Sequence, residues 1–178
     1  FSGSGFKLSD KIEEEIESLI LDCPEKMQLK DGCNIGRVFY EPNAEWDYIR
    51  YVMKTVDCDF KGIKVAIDCA NGSASMVAPK LFEGLGASCV FIHNQPDGTN
   101  INKNCGSTHI ESLQRTVVEK KCDLGLAFDG DADRCLAVDE NGQLIDGDKL
   151  LAIFSKFMKV QGKLKSNTCV VRVMSNLG

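Results

Sequence analysis

The chain has 178 residues, 43% hydrophobic and 26% charged, with a formal net charge of −5. Such a length holds one good core plus an appendage, the acidic balance argues against a broad nucleic-acid surface, and no apolar run approaches the roughly 20 residues of a membrane span. No signal-peptide pattern opens the chain, and nine cysteines without a Cys-x-x-Cys pair, beside two histidines, point to reduced thiols in a cytoplasm rather than a zinc site or a disulfide framework.

Residues 1–6 are rich in glycine and serine with aromatic ends and read as a strand tail or loop. Ser9 and Asp10 then precede an acidic helical run over 11–21, in which Ile12, Ile16, Leu19 and Ile20 recur at helical spacing. Glu13, Glu14 and Glu15 form its solvated face. Residues 23–42 carry Pro24, Gly32, Gly36 and Pro42 and mark a domain boundary. A second helix begins at Asn43, its expected cap, with Trp46, Ile49, Met53 and Val56 as its apolar stripe.

From Ile63 the pattern alternates. Strands are expected over 63–69, 87–93 and 123–128, and helices over 74–85 and 109–121. Short apolar strands alternating with helices predict a parallel sheet covered on both faces. Strands over 135–139 and 143–146 flank Asn141-Gly142, a hairpin signal that makes these two antiparallel. A last helix over 148–160 should turn Leu150, Leu151, Phe154, Phe157 and Met158 to the core, with Gly162 ending it. A strand is expected over 168–174. The fold class is therefore α/β, a three-layer, mainly parallel mixed sheet with helices on both faces, plus a helical appendage before it.

The chemistry concentrates after the strand at 124–128. Asp129, Asp131 and Asp133 stand at alternate positions with only Gly130 and Ala132 between them, and Arg134 follows. If the backbone curls there, the carboxylates converge, and three anions in so small a space call for a cation. Oxygen-only ligands favour Mg²⁺ or Ca²⁺ over Zn²⁺. Three side chains leave positions open for water or a phosphate oxygen, and Arg134 offers a planar fork for that phosphate. An EF-hand is disfavoured: its sixth loop position should be glycine but is Arg134, and the flanks read as strands. A haloacid-dehalogenase-type phosphatase needs Thr or Val where Asp133 stands.

The run 124–134, Leu-Gly-Leu-Ala-Phe-Asp-Gly-Asp-Ala-Asp-Arg, resembles the metal loop of the α-D-phosphohexomutase superfamily. Segments 5–10, 68–72, 100–109, 139–148 and 173–178 resemble the bacterial phosphoglucosamine mutases more than phosphomannomutases or phosphoglucomutases. Ala132 departs from the pattern, where glycine is commoner. The resemblance implies Mg²⁺ held by Asp129, Asp131 and Asp133, and Arg134 as a phosphate contact. It implies a phosphoprotein isomerase of amino-sugar metabolism, feeding cell-wall precursor synthesis, that interconverts glucosamine 6-phosphate and glucosamine 1-phosphate through a phosphoserine. It further implies that 1–42 is the end of a first domain and a linker. Residues 43–162 are then the metal-binding domain 2, and 163–178 open domain 3. The phosphoserine loop would lie before Phe1 and the sugar-reading loop after Gly178, so the chain alone is expected to be inactive. Another phosphohexomutase specificity and a non-catalytic metal-binding module remain open alternatives.

Other segments carry weaker signals. Asn71-Gly72-Ser73 offers backbone N–H groups to an anion but reads first as an ordinary βα turn. The polar loop 94–108 is long enough to suggest a role, with Thr108 as an expected helix cap and His109 as a solvated residue at the helix start. His93 has no evident partner in the sequence, and Cys105 and Cys135 show no sign of activation.

Overall fold

The computed structural model describes residues 1–28 and 30–167, and the chain divides into two compact units, 1–41 and 42–178. The strand expected over 168–174 lies outside the described residues. The first unit holds helix α1, Asp10–Leu21, followed by two single 3-10 turns. None of the residues of α1 is buried, and its stripe of Ile12, Ile16, Leu19 and Ile20 is exposed.

The second unit runs α2 (Ala44–Met53), β1 (Lys64–Asp68), α3 (Ala74–Gly84), β2 (Ser88–Ile92), α4 (Glu111–Lys120), β3 (Leu124–Phe128), β4 (Cys135–Asp139), β5 (Leu144–Ile145) and α5 (Gly147–Val160). The strand order is β2-β1-β3-β4-β5. The first three are parallel, and β4 and β5 are antiparallel additions. The connections match this arrangement: helical crossovers join β1, β2 and β3, while brief turns join β3 to β4 and β4 to β5.

The period of two along the strands splits the core. Val65, Ile67 and Cys69 point to one face and pack with Ala74, Ala78 and Phe82 from the side of α3. Ala66, Ala127 and Val138 point to the other and pack with Leu113 and Val117 of α4. Gly125 lets α4 come close, since a Cβ there would lie 2.6 Å from Val117 Cγ2. Helix α2 docks beside α3 through buried Ile49, with Lys80 bonded to Glu45 at 2.6 Å and lying 5.3 Å from the Trp46 ring centroid.

Four local expectations are corrected. The apolar side of α5 does not reach the core: none of its residues is buried, and Phe154 and Phe157 are more than half exposed. The sheet ends at the two-residue strand β5, which is too short to offer that helix a surface. Trp46 and Val56 of the second apolar stripe are likewise exposed, leaving Ile49 as its buried anchor. Asn43 makes no side-chain cap to α2, because its own backbone is already helical at φ −96° and ψ −10°. Thr108 does not cap α4, which starts three residues later at Glu111; its hydroxyl meets His109 Nδ1 at 3.2 Å.

Candidate metal centre

Strand β3 delivers Phe128 to the carboxyl edge of the sheet, where ligands of open α/β sheets collect, and the chain then curls. The Ala132 N–H donates to the Asp129 carbonyl at 3.1 Å, and Ala132 takes up a left-handed conformation at φ 60°. That turn lets β4 return antiparallel, with Phe128 opposite Cys135. It also brings the carboxylates of Asp129, Asp131 and Asp133 together, with one oxygen of each within 4.8 Å of the others. Asp129 is buried, and the other two are exposed. The flanking elements are strands, so the helix-loop-helix of an EF-hand is absent here.

Arg134 is tied into the cluster. Its backbone N–H donates to Asp129 Oδ1 at 3.1 Å and its Nε to Oδ2 at 2.8 Å, while Asp133 Oδ1 lies 3.7 Å from Nε. Burial pushes the Asp129 carboxyl up, but the Arg134 N–H, its guanidinium and Asp133 together outweigh this and hold it below the usual range. Asp133 is pushed above the ordinary carboxylate range by the charge of Asp131 first and of Asp129 second. One guanidinium facing three carboxylates leaves the cluster negative. An all-oxygen set that is still repulsive, open to solvent on two members, fits a hard divalent cation.

The loop is clamped from both sides. The Ser73 N–H donates to the Gly130 carbonyl at 2.9 Å, and a Cβ on Gly72 would lie 2.7 Å from Gly130 Cα. On the other side a Cβ on Gly130 would lie 2.7 Å from Asn102 Nδ2 and 2.8 Å from Ile101 Cδ1. The 71–73 turn is therefore not an anion cradle, because the Gly72 and Ser73 N–H groups are already given to Cys69 and Gly130 carbonyls.

A second cluster was not legible in the sequence. Asp68, fully buried at the end of β1, accepts from Ala70 N–H at 2.9 Å and from Gly106 N–H at 3.0 Å. His93 Nδ1 is 2.9 Å from its Oδ2, and Cys105 stands close by. His93 thus gains the partner that its sequence context hides. The available signal was positional: Asp68 and His93 both fall where β1 and β2 end side by side. This trio is a hydrogen-bond node rather than a metal site. Both carboxylate oxygens already take N–H donors, and burial and then the charge of Asp68 raise the Cys105 thiol, keeping it protonated.

Residues 46–142 match the phosphoglucomutase/phosphomannomutase alpha/beta/alpha domain II family. The chain belongs to this family. Over its whole length it is 57% identical to a phosphoglucosamine mutase of Acetivibrio thermocellus and 54% identical to one of Clostridium acetobutylicum. It spans 40% of the length of each. A solved phosphoglucomutase/phosphomannomutase family protein of Burkholderia thailandensis shares the fold, with a TM-score of 0.63 at 24% identity over 88% of this chain and 33% of that one. The matched residues include α3, α4 and strands β1 to β4 of the sheet described above.

Proposed function

We propose that the chain is the metal-binding portion of a phosphoglucosamine mutase, an enzyme that interconverts glucosamine 6-phosphate and glucosamine 1-phosphate. In this reading 1–42 close a preceding domain and its linker, 43–162 form the metal-binding domain, and 163–178 open the next. The observation that carries the reading is the convergence of Asp129, Asp131 and Asp133 within 4.8 Å at the end of β3. It occurs in a chain more than half identical, end to end, to curated phosphoglucosamine mutases.

Asp129, Asp131 and Asp133 would hold Mg²⁺, which when bound offsets negative charge as a phosphoryl group is transferred between an active-site serine and the sugar. The chain's own residues do the positioning. Arg134 fixes Asp129 through both its backbone and its guanidinium, which sets the orientation of the buried carboxylate. The Arg134 side chain is 46% exposed, so its guanidinium can also steady an incoming phosphate. Gly130 stays wedged between the two clamping segments, keeping the carboxylates from following a phosphate as it moves. The enzyme is read as cytoplasmic; among the described residues no helix is long and apolar enough to cross a membrane.

The test is a calorimetric Mg²⁺ titration of the chain and of its Asp131→Asn variant. The reading expects saturable binding that the substitution weakens by roughly tenfold or more. Binding that the substitution leaves unchanged would refute the ligand assignment. For the sugar, the full-length parent is assayed on glucosamine, glucose and mannose phosphates. Turnover of mannose 1-phosphate as fast as of glucosamine 1-phosphate would refute the substrate assignment.

A further inference from the structure

The reading above leaves the buried Asp68 without a task. A fully buried carboxylate is costly unless its oxygens are bonded. Here Ala70 N–H, Gly106 N–H and the His93 ring satisfy it at 2.9–3.0 Å. What those three bonds hold matters. Ala70 belongs to the segment that ends with Ser73 donating to Gly130. Gly106 closes the polar loop whose Ile101 and Asn102 press on Gly130 from the opposite side. A Cβ on Gly106 would lie 2.5 Å from the carbonyl oxygen of Phe128, the residue immediately before Asp129. The two segments are also bonded directly, Asn102 N–H to Ala70 O at 2.9 Å. One carboxylate therefore ties together both jaws that grip the metal loop.

The backbone around it is unusual. Ala70, Asn71, His93, Asn102 and Asn104 all have φ between 46° and 56°, five of the seven left-handed non-glycine residues among the described residues. Such conformations persist where the surroundings over-determine them, and Asp68 bonds to Ala70 and His93 directly.

We infer that Asp68 is a positioning residue for the metal loop: by holding Ala70, His93 and Gly106, it sets where Gly130 and the Asp129 carboxylate stand, and so sets affinity for the divalent ion without touching it. The inference rests on the metal reading above. It assigns a use to His93 and to the 94–108 loop as well, since both are parts of the same tie. Asp68→Asn keeps the shape but turns one acceptor oxygen into an NH₂ facing donors, so at least one N–H loses its partner.

The experiment titrates Mg²⁺ into wild type, Asp68→Asn, His93→Asn, Asp131→Asn and Val117→Ala, following the amides of Gly130 and Asp131 by NMR, with thermal stability measured alongside. Asn is chosen at position 93 because it tolerates positive φ. Val117 lies in the buried apolar cluster of Ala66, Leu113 and Val138 and controls for mere loss of stability. Asp68→Asn is expected to weaken Mg²⁺ about tenfold, the low end for groups that orient metal ligands indirectly, and His93→Asn, which removes one of three partners of that carboxylate, about threefold. Val117→Ala should lose stability with affinity unchanged. A wild-type response that Asp131→Asn abolishes but Asp68→Asn keeps within twofold overturns the positioning role and spares the metal reading. Should Asp68→Asn fail to fold, unchanged affinity in His93→Asn overturns it instead. Identical curves for wild type and Asp131→Asn sink the metal reading and this one with it.

Discussion

Replacing Gly72 with alanine tests the clamp on the metal loop at its tightest point. The added Cβ would stand 2.7 Å from Gly130 Cα and 2.8 Å from its carbonyl carbon, and closer still to the carbonyl oxygen. Those neighbours are backbone, so no rotamer change relieves the clash. Either the 70–73 turn or the 129–134 loop must move, and the Ser73 N–H to Gly130 O bond of 2.9 Å goes with it. Overpacking of this kind costs about 1–3 kcal/mol, and a hydrogen bond lost in a half-buried setting about 1 kcal/mol more. The total of roughly 2–4 kcal/mol corresponds to a fall in Tm of about 10 °C for a unit of this size. Differential scanning calorimetry reads the shift. Gly147→Ala serves as the reference, because nothing lies within 4 Å of a Cβ there and φ is not positive. A Gly72→Ala protein with Tm within about 2 °C of wild type, or one no less stable than Gly147→Ala, would show that the two segments do not press on each other as described.

Two further outcomes are expected. Ala132→Gly should stabilise the chain by about 0.5 kcal/mol, the relief of a left-handed alanine at φ 60° less the added freedom of the unfolded chain; a destabilised variant in urea unfolding would contradict the strain. In maleimide labelling at pH 8 read by mass spectrometry, exposed Cys33 and Cys58 should react within minutes while Cys69 stays protected. Burial and then the neighbouring Asp68 charge push the Cys69 thiol up to about 12, so almost no thiolate is present at pH 8; rapid modification of Cys69 in the native protein would refute its burial.

The order and type of the elements followed from local physics. Strand-helix alternation through residues 63–128 pointed to a parallel sheet, Asn141-Gly142 to an antiparallel return, and the Asp129, Asp131, Asp133 spacing to convergence if the chain curled after Phe128. These are properties of periodicity and turn chemistry, which a dozen neighbouring residues settle among themselves. The destination of the amphipathic faces was not legible. Helix α5 carries a core-like stripe, yet Phe154 and Phe157 are exposed, because what a stripe packs against is decided by elements far along the chain.

Tertiary structure alone also made the Asp68 node. Asp68, His93 and Gly106 are separated by 25 and 38 positions from the first to the others; the side-by-side ending of β1 and β2 brings the first two within bonding distance, and the polar loop returns Gly106 to them. By itself the sequence marked three carboxylates as candidate cation ligands and the strand that leads into them. What surrounds those residues is a set of close approaches at Gly72, Gly106 and Gly130. Glycine's missing side chain leaves no periodic or chemical mark by which such contacts can be read in advance.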